Sequence, residues 1–288
     1  MTLFELVKIT LDELYKRAEL QYQAQTDAEI KRRFTYLSDS YTRLSDPNRV
    51  PIDYKDPATR FAYVYRYVAT HGDYVVQLLT RAAAVLGGSV FPKGTSRVSC
   101  LGGGPGSDIL AILKYLADYR GREDVKKLKV FLLDKEQAWA DTWDDLEEKL
   151  DAGCELRTSF QPLDVLNPDW ISQRHFLEAD VYTLSYFVSE VYALDGSGAV
   201  TTFWQRLFKE AKPGAVFLYD DNGTDDFNAY FDGQWSKGGL ELLASGSNES
   251  WTPRYEERAD VLNDYKAKFS AWPKLKGYLS YRVLRKPK

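Results

Sequence analysis

The stretch 98–108, VSCLGGGPGSD, sets four glycines and a proline directly behind an apolar run. Glycine gives up more backbone freedom on folding than any other residue. Four of them within five positions therefore mark a tight bend or a close approach to the backbone. The residues before the bend, RVSCL, read as a strand, and those after it, DILAILKYLADYR, have helical spacing. Strand, bend and helix in that order open a parallel crossover unit. In such sheets ligands lie beyond the carboxyl ends of the strands, which is where these glycines fall.

Two phosphate-binding patterns fail on spacing. A P-loop needs a Lys-Ser/Thr pair behind its glycines, and none follows here. A dinucleotide loop needs G-x-G-x-x-G, whose third glycine would fall on Ser107. The stretch satisfies G-x-G-x-G through Gly102, Gly104 and Gly106.

Strands and helices go on alternating downstream. KLKVFLLD, ELRTSFQPLD, ADVYTLSYFV and AVFLYDD read as strands, with EQAWADTWDDLEEKL and AVTTFWQRLFKEA as helices among them. GLELLAS and GYLSYRVLRK close the chain without a regular crossover between them, which predicts an antiparallel addition at one edge. The expectation is an α/β protein with a seven-stranded, mainly parallel, Rossmann-like sheet ending in an antiparallel strand. Upstream, residues 1–92 read as a helical extension that caps the carboxyl edge and completes an acceptor pocket, with the sheet domain spanning 93–288. Asp56 as N-cap, Pro57 at the first helical position and the Gly87-Gly88 exit frame its second helical stretch.

Composition bounds the function. Of 288 residues 44% are hydrophobic and 14% aromatic, as in a packed globular protein, and no apolar run approaches the length of a membrane span. The N-terminus lacks the basic start and continuous apolar core of a signal peptide. Two cysteines, Cys100 and Cys154, are too few for a disulfide scaffold or a zinc cluster, so a reducing, cytoplasmic setting is expected. Net charge is -4, against a general nucleic-acid binder, yet residues 266–288 hold eight Lys or Arg and no acid. That tail reads as a terminal strand with solvated lysines, or as a local contact for RNA or an anionic substrate.

The glycine loop together with three later strand ends resembles the class I S-adenosylmethionine-dependent methyltransferases. The resemblance covers about 95–288, including the closing antiparallel pair that separates this family from dinucleotide binders. It implies that Gly102, Gly103, Gly104 and Gly106 let the backbone touch the methionyl part of the cofactor. It also implies that Asp134, followed by Lys135, accepts hydrogen bonds from the ribose hydroxyls. Asp164 then bonds the adenine amine, the Val165 N–H reaches a ring nitrogen, and Ser185 and Tyr186 face cofactor or acceptor. Where the family often carries an acid two positions before the first glycine, this chain has Cys100, with Asp108 as a substitute for meeting the ammonium group; a helix-dipole role is the alternative for Asp108. The spacing from Gly102 to Asp134 is also long, because YRGREDVKKLK extends the connection.

Methyl transfer from a sulfonium is an in-line displacement that chiefly needs alignment, so no fixed catalytic motif is expected. The segment SYFVSE is unlike the Asn/Asp-Pro-Pro-Tyr of base amino-group methylation, and neither cysteine is placed to act as a nucleophile. Candidates for acceptor chemistry are Asp220 and Asp221 at the fifth strand's end, Tyr186, Glu190 and His71. Asp220, Asp221 and Asn222 resemble a magnesium-holding segment of catechol-type O-methyltransferases. The fourth strand's end offers only Ser185 or the more distant Glu190, so no metal is assigned. Arg60, Tyr63, Arg66, Tyr67 and His71 fall near one another at spacings of three and four. The expected activity is methyl transfer to an oxygen or nitrogen of a small or medium polar acceptor. The alternatives are an RNA methyltransferase using the basic tail and a non-catalytic cofactor sensor.

Overall fold

In the computed structural model, which describes residues 2–119, 123–167, 174–254 and 260–288, seven strands form one sheet in the order β3-β2-β1-β4-β5-β7-β6. They are β1 (Gly94–Leu101), β2 (Val125–Asp134), β3 (Glu155–Pro162), β4 (Val181–Ser185), β5 (Val216–Asn222), β6 (Glu241–Trp251) and β7 (Gly277–Arg285). The pairs β1–β2, β2–β3, β1–β4 and β4–β5 are parallel, whereas β7 runs antiparallel to both β5 and β6. The expected reversal is present, and the reversed strand sits inside the sheet rather than at its rim. Part of the extended connection before β2, residues 120–122, lies outside the described residues.

Side-chain alternation sorts the sheet's residues onto two faces. Val98, Cys100, Val130, Leu132, Leu218 and Val283 face a cluster shared with α1 (Leu3–Tyr22), α4 (Ala69–Leu86), α5 (Ser107–Asp118) and α6 (Ala138–Glu147). Leu101, Leu133, Tyr182, Leu184, Phe217 and Leu284 face a second cluster with α7 (Phe187–Tyr192), α8 (Ala199–Glu210) and α9 (Asp225–Lys237). The N-terminal helices are thus buried against one face of the sheet, in the same cluster as its strands. Arg282, 5% exposed inside β7, is held by Asp232 through paired bonds of 2.8 Å.

α2 (Thr26–Tyr41) leads through a connector to α3 (Pro57–Tyr63), a π-helical turn at Val64–Val68, and α4. Asp56 caps α3, accepting from the Ala58 and Thr59 N–H groups at 3.2 and 3.1 Å, with Pro57 at the first position. Gly87 ends α4 in the left-handed conformation. One boundary differs from expectation. The fourth strand stops at Ser185 instead of running on through YFV, because Tyr186 takes a left-handed conformation (φ 54°) and Phe187 begins α7. Asp221 receives the Ser189 N–H at 2.8 Å and so satisfies a free donor of that helix's first turn.

Candidate functional site

The glycine bend leaves β1 with Gly102, Gly104 and Gly106 all at positive φ, where a side chain is strained. What each glycine makes room for differs. A Cβ on Gly102 would lie 2.4 Å from the Phe187 ring, one on Gly103 2.5 Å from Leu132, and one on Gly106 2.2 Å from Trp143. These three are small because the protein itself packs against them. A Cβ on Gly104 would meet nothing nearer than 3.9 Å, with Asp134 and Trp139 beyond. Gly104 is itself buried, at ordinary contact distance from Asp134 and Trp139, and it is the half-buried Gly102 that reaches the cavity wall.

Asp134, at the end of β2, is tied to that bend. Its Oδ2 accepts the Gly104 N–H at 3.0 Å and its Oδ1 the Glu136 N–H at 2.9 Å. Burial, which outweighs these bonds, raises its pKa to about 6. Beyond β3, Asp164 pairs with Lys135 at 2.8 Å and accepts the Leu166 N–H at 3.0 Å, while Val165 is buried. Gly102, Asp134, Lys135, Asp164 and Val165 all line one cavity of about 590 Å³, within the range typical of small-molecule sites.

The far wall of this cavity was not legible as such in the sequence. Residues 49–55 of the connector cross the carboxyl edge, and Arg49, Ile52 and Tyr54 line the hollow. The Arg60 guanidinium holds this strap by bonding the carbonyls of Tyr54 and Lys55 at 2.8 and 2.9 Å. At its other end Arg49 bonds the Glu190 carbonyl. The strap, rather than a helix, closes over the strand ends. Behind it Tyr54 joins a ring cluster with Tyr63 and Trp139, at centroid distances of 5.4 and 5.1 Å. Burial holds the Tyr54 and Tyr63 hydroxyls protonated.

Glu190 is the one acceptor-chemistry candidate lining the cavity. Burial first, then the Asp134 charge, raises its pKa to about 7. The other candidates gather one strand further along. Asp220 is buried, receives the Ser185 hydroxyl at 3.0 Å, and is raised well above the carboxylate range by burial and by Asp108. Asp108, 2% exposed, bonds the Thr183 hydroxyl and has a pKa of about 6, again through burial. Asp221 is turned inward to cap α7, its pKa raised by burial to about 6. His71 stacks on Tyr186 with centroids 3.8 Å apart and planes at 12°; burial pushes its pKa well below the usual value. The Tyr186 hydroxyl is buried without a hydrogen-bond partner. Among the described residues, no group of three or more His, Cys, Asp or Glu is placed to hold a metal ion.

Of the helical group, Tyr63, Tyr67 and His71 pack ring to ring, but Arg66 turns away to the Trp272 carbonyl at 2.7 Å. In the basic tail, Lys266, Lys268, Arg282 and Arg285 reach Asp260, Asp27, Asp232 and Glu241 at 3.5, 3.3, 2.8 and 2.7 Å. Much of that charge is therefore answered within the protein.

The reversed β7 beside β5, the crossover helices on both faces and the bend behind β1 define the architecture. The fold is the Rossmann-like fold of class I methyltransferases. No family model matches the sequence, and no curated protein matches it. Solved structures that match include a SAM-dependent methyltransferase from Geobacter sulfurreducens in complex with S-adenosyl-L-homocysteine, 15% identical over 74% of this chain and 91% of that one, at a TM-score of 0.37. A sarcosine dimethylglycine methyltransferase described as putative, from Galdieria sulphuraria, is 9% identical over 75% of this chain and 84% of its own, at 0.41. A possible exported protein from Bordetella parapertussis covers 100% of this chain and 98% of its own, at 12% identity and 0.44. Likenesses this remote say nothing of activity. No helix among the described residues is long and apolar enough to cross a membrane.

Proposed function

We propose that the protein is an S-adenosylmethionine-dependent methyltransferase acting on an oxygen or nitrogen of a small or medium polar acceptor. The observation that carries this is convergence. Gly102, Asp134 and Asp164 come from the ends of three different strands and line one cavity.

The donor set suits the cofactor. Backbone at Gly102 reaches the wall of the hollow, and Asp134 offers the remaining lone pairs of a carboxylate for a diol. Asp164 and Val165 stand on the side where a base would lie. Asp134 and Glu190 are two acids in one hollow. Burial raises both pKa values, the Asp134 charge raises that of Glu190 further, and a cationic ligand favours the ionised form of each. When bound, the cofactor supplies a methyl carbon made electrophilic by its sulfonium. The chain's part is to align it and exclude water: the strap at 49–55 covers the hollow, and the ring cluster of Tyr54, Tyr63 and Trp139 keeps its wall apolar. The neutral Asp220–Ser185 pair and the unpartnered Tyr186 hydroxyl provide hydrogen-bonding groups for an acceptor.

Calorimetric titration of the purified protein with S-adenosylmethionine tests the reading. Saturable one-to-one binding supports it, and folded protein that does not bind at millimolar concentration refutes it. Release of S-adenosylhomocysteine with any acceptor then separates an enzyme from a sensor.

A further inference from the structure

A second hollow, of about 340 Å³, opens on the same sheet edge, on the other side of the Tyr186–Asp220 block. Its walls are the turn after β5 at Asn222–Thr224, the bulged part of β6 at Asn248, and the approach to β7 from Lys274 to Tyr278. The shape is built in. Asn248 holds a left-handed conformation (φ 54°) where the β6 register shifts, an uncommon state for a side-chain-bearing residue. Gly223 must be glycine there, since a Cβ would lie 2.7 Å from the Asn248 Oδ1. The Gly223 N–H is tied to the Tyr278 carbonyl at 2.9 Å.

Lys274 is fixed at the mouth of this hollow. Its N–H donates to the Arg66 carbonyl at 2.9 Å, and its own carbonyl accepts the Thr70 hydroxyl at 2.6 Å. The side chain is half-buried, with the ammonium 5.9 Å from the Tyr67 ring. Burial, and then the Arg66 charge, push its pKa down. Lys276 stands beside it, its ammonium 5.0 Å from the Tyr278 ring. Four other cations of the same tail reach carboxylates, but among the described residues neither of these two forms an ion pair.

The nearby acids are accounted for. Asp221 turns inward to α7, Glu249 is paired with Arg81 at 2.9 Å, and Asp225 and Asp226 are exposed in the first turn of α9. A half-buried ammonium that forms no ion pair among the described residues, with two amide side chains lining the same hollow, has the chemistry to bind an anion.

We propose that this hollow receives the anionic end of the methyl acceptor, a carboxylate or a phosphate, with Lys274 as its main charge partner and Lys276, Asn222 and Asn248 as further donors. This rests on the reading that methyl transfer takes place at this sheet edge. The block of Ser185, Tyr186 and Asp220 lies between the two hollows, where the reacting groups would meet. The alternative use of the tail, contact with RNA, asks for charge spread along a surface, whereas the two unpaired lysines are set at one hollow.

The test uses the full-length protein saturated with S-adenosylhomocysteine, titrated at low salt with phenyl phosphate and with benzoate. The expected result is one-to-one binding of at least one probe, weakened about tenfold or more by Lys274→Gln and less by Lys276→Gln. S-adenosylmethionine affinity is expected to stay unchanged in both variants. Preference between the probes tells a phosphorylated acceptor from a carboxylate. The proposal is overturned if neither probe binds at about 10 mM, or if binding is indifferent to Lys274→Gln. It is equally overturned if only a single-stranded oligonucleotide, and neither probe, binds through Lys274. If S-adenosylmethionine itself fails to bind, the methyltransferase reading falls and takes the acceptor role of this hollow with it; if it binds and the probes do not, only the acceptor site falls.

Discussion

Substituting Gly104 and Gly106 separately by alanine distinguishes a glycine kept small by packing from one whose backbone holds the Asp134 carboxylate. Both sit at positive φ, 48° and 86°, so each alanine carries left-handed strain of about 1–2 kcal/mol. For Gly106→Ala there is more, because the new Cβ would fall 2.2 Å from a Trp143 ring carbon, and Trp143 is 1% exposed. Overpacking of that kind adds about 1–3 kcal/mol, for a total of about 2–5 kcal/mol. At roughly 2 °C per kcal/mol in a chain of this size, Tm falls by about 4–10 °C. Gly104→Ala has no such clash, its nearest neighbours being 3.9 Å away, and loses only the strain. Its methyl would lie 3.9 Å from the Asp134 Oδ2 that the Gly104 N–H holds, and a shift of that carboxylate lowers S-adenosylmethionine affinity by about tenfold or more, the equivalent of about 1.4 kcal/mol. Differential scanning calorimetry of the apo proteins and isothermal titration with the cofactor read the two effects separately. Equal Tm losses, or Gly104→Ala binding the cofactor as tightly as the parent, would refute this distinction between the two positions.

The remaining predictions concern charge and the strap. Asp108 and Asp221 are buried with folded pKa values of about 6, above their unfolded values, so the native state binds more protons between about pH 4 and 6. Apo stability is greatest below that window and drops as pH rises through it, by up to about 3 kcal/mol for each group. His71, pushed the other way, opposes this over the whole interval from its lowered folded pKa up to its unfolded one and offsets about one of the two carboxyls; a urea midpoint that climbs steadily from pH 4 to 7 would contradict the sign. Affinity for the cationic cofactor should increase from pH 5.5 to 7.5 as Asp134 and Glu190 ionise, with net proton release seen by calorimetry in buffers of different ionisation enthalpy. Asp134→Asn should weaken cofactor binding by about 10- to 100-fold and flatten that profile; a profile identical to the parent's would show that Asp134 is not the titrating contact. Arg60→Met removes both carbonyl contacts to the strap, costing about 2–3 kcal/mol and increasing protease cleavage within 49–55; unchanged cleavage would mean the strap is held by other contacts.

The parts of the fold legible in the sequence were those written in short-range pattern. The bend at 102–106, the strand before it and the helix after it announce themselves through glycine and periodicity. Asp134 could be located because it closes an apolar run, and Asp164 because FQPLDVL sets it just after the third strand. Less accessible were features decided by contacts between distant segments. Nothing local in NRVPIDYK says that it crosses the sheet edge; that depends on Arg60 reaching back to Tyr54 and Lys55 and on Arg49 reaching Glu190. The early end of β4 is similar, since YFV has strand-like side chains and becomes helix only because Tyr186 turns left-handed and Asp221 caps the first turn of α7. The glycines carried a further ambiguity. Sequence shows four small residues together, but not that three are small to admit Phe187, Leu132 and Trp143 and one only to take a positive φ.

The placement of β7 bears on how the chain can be assembled. During synthesis β5 and β6 both emerge before the strand that joins them, so each presents unpaired backbone until residues 277–285 arrive to fill the gap. The sheet therefore closes by insertion rather than by growth at an edge. A nascent chain stalled just short of Gly277 would carry two open seams, and one of them would run beside Asp220 and Asp221.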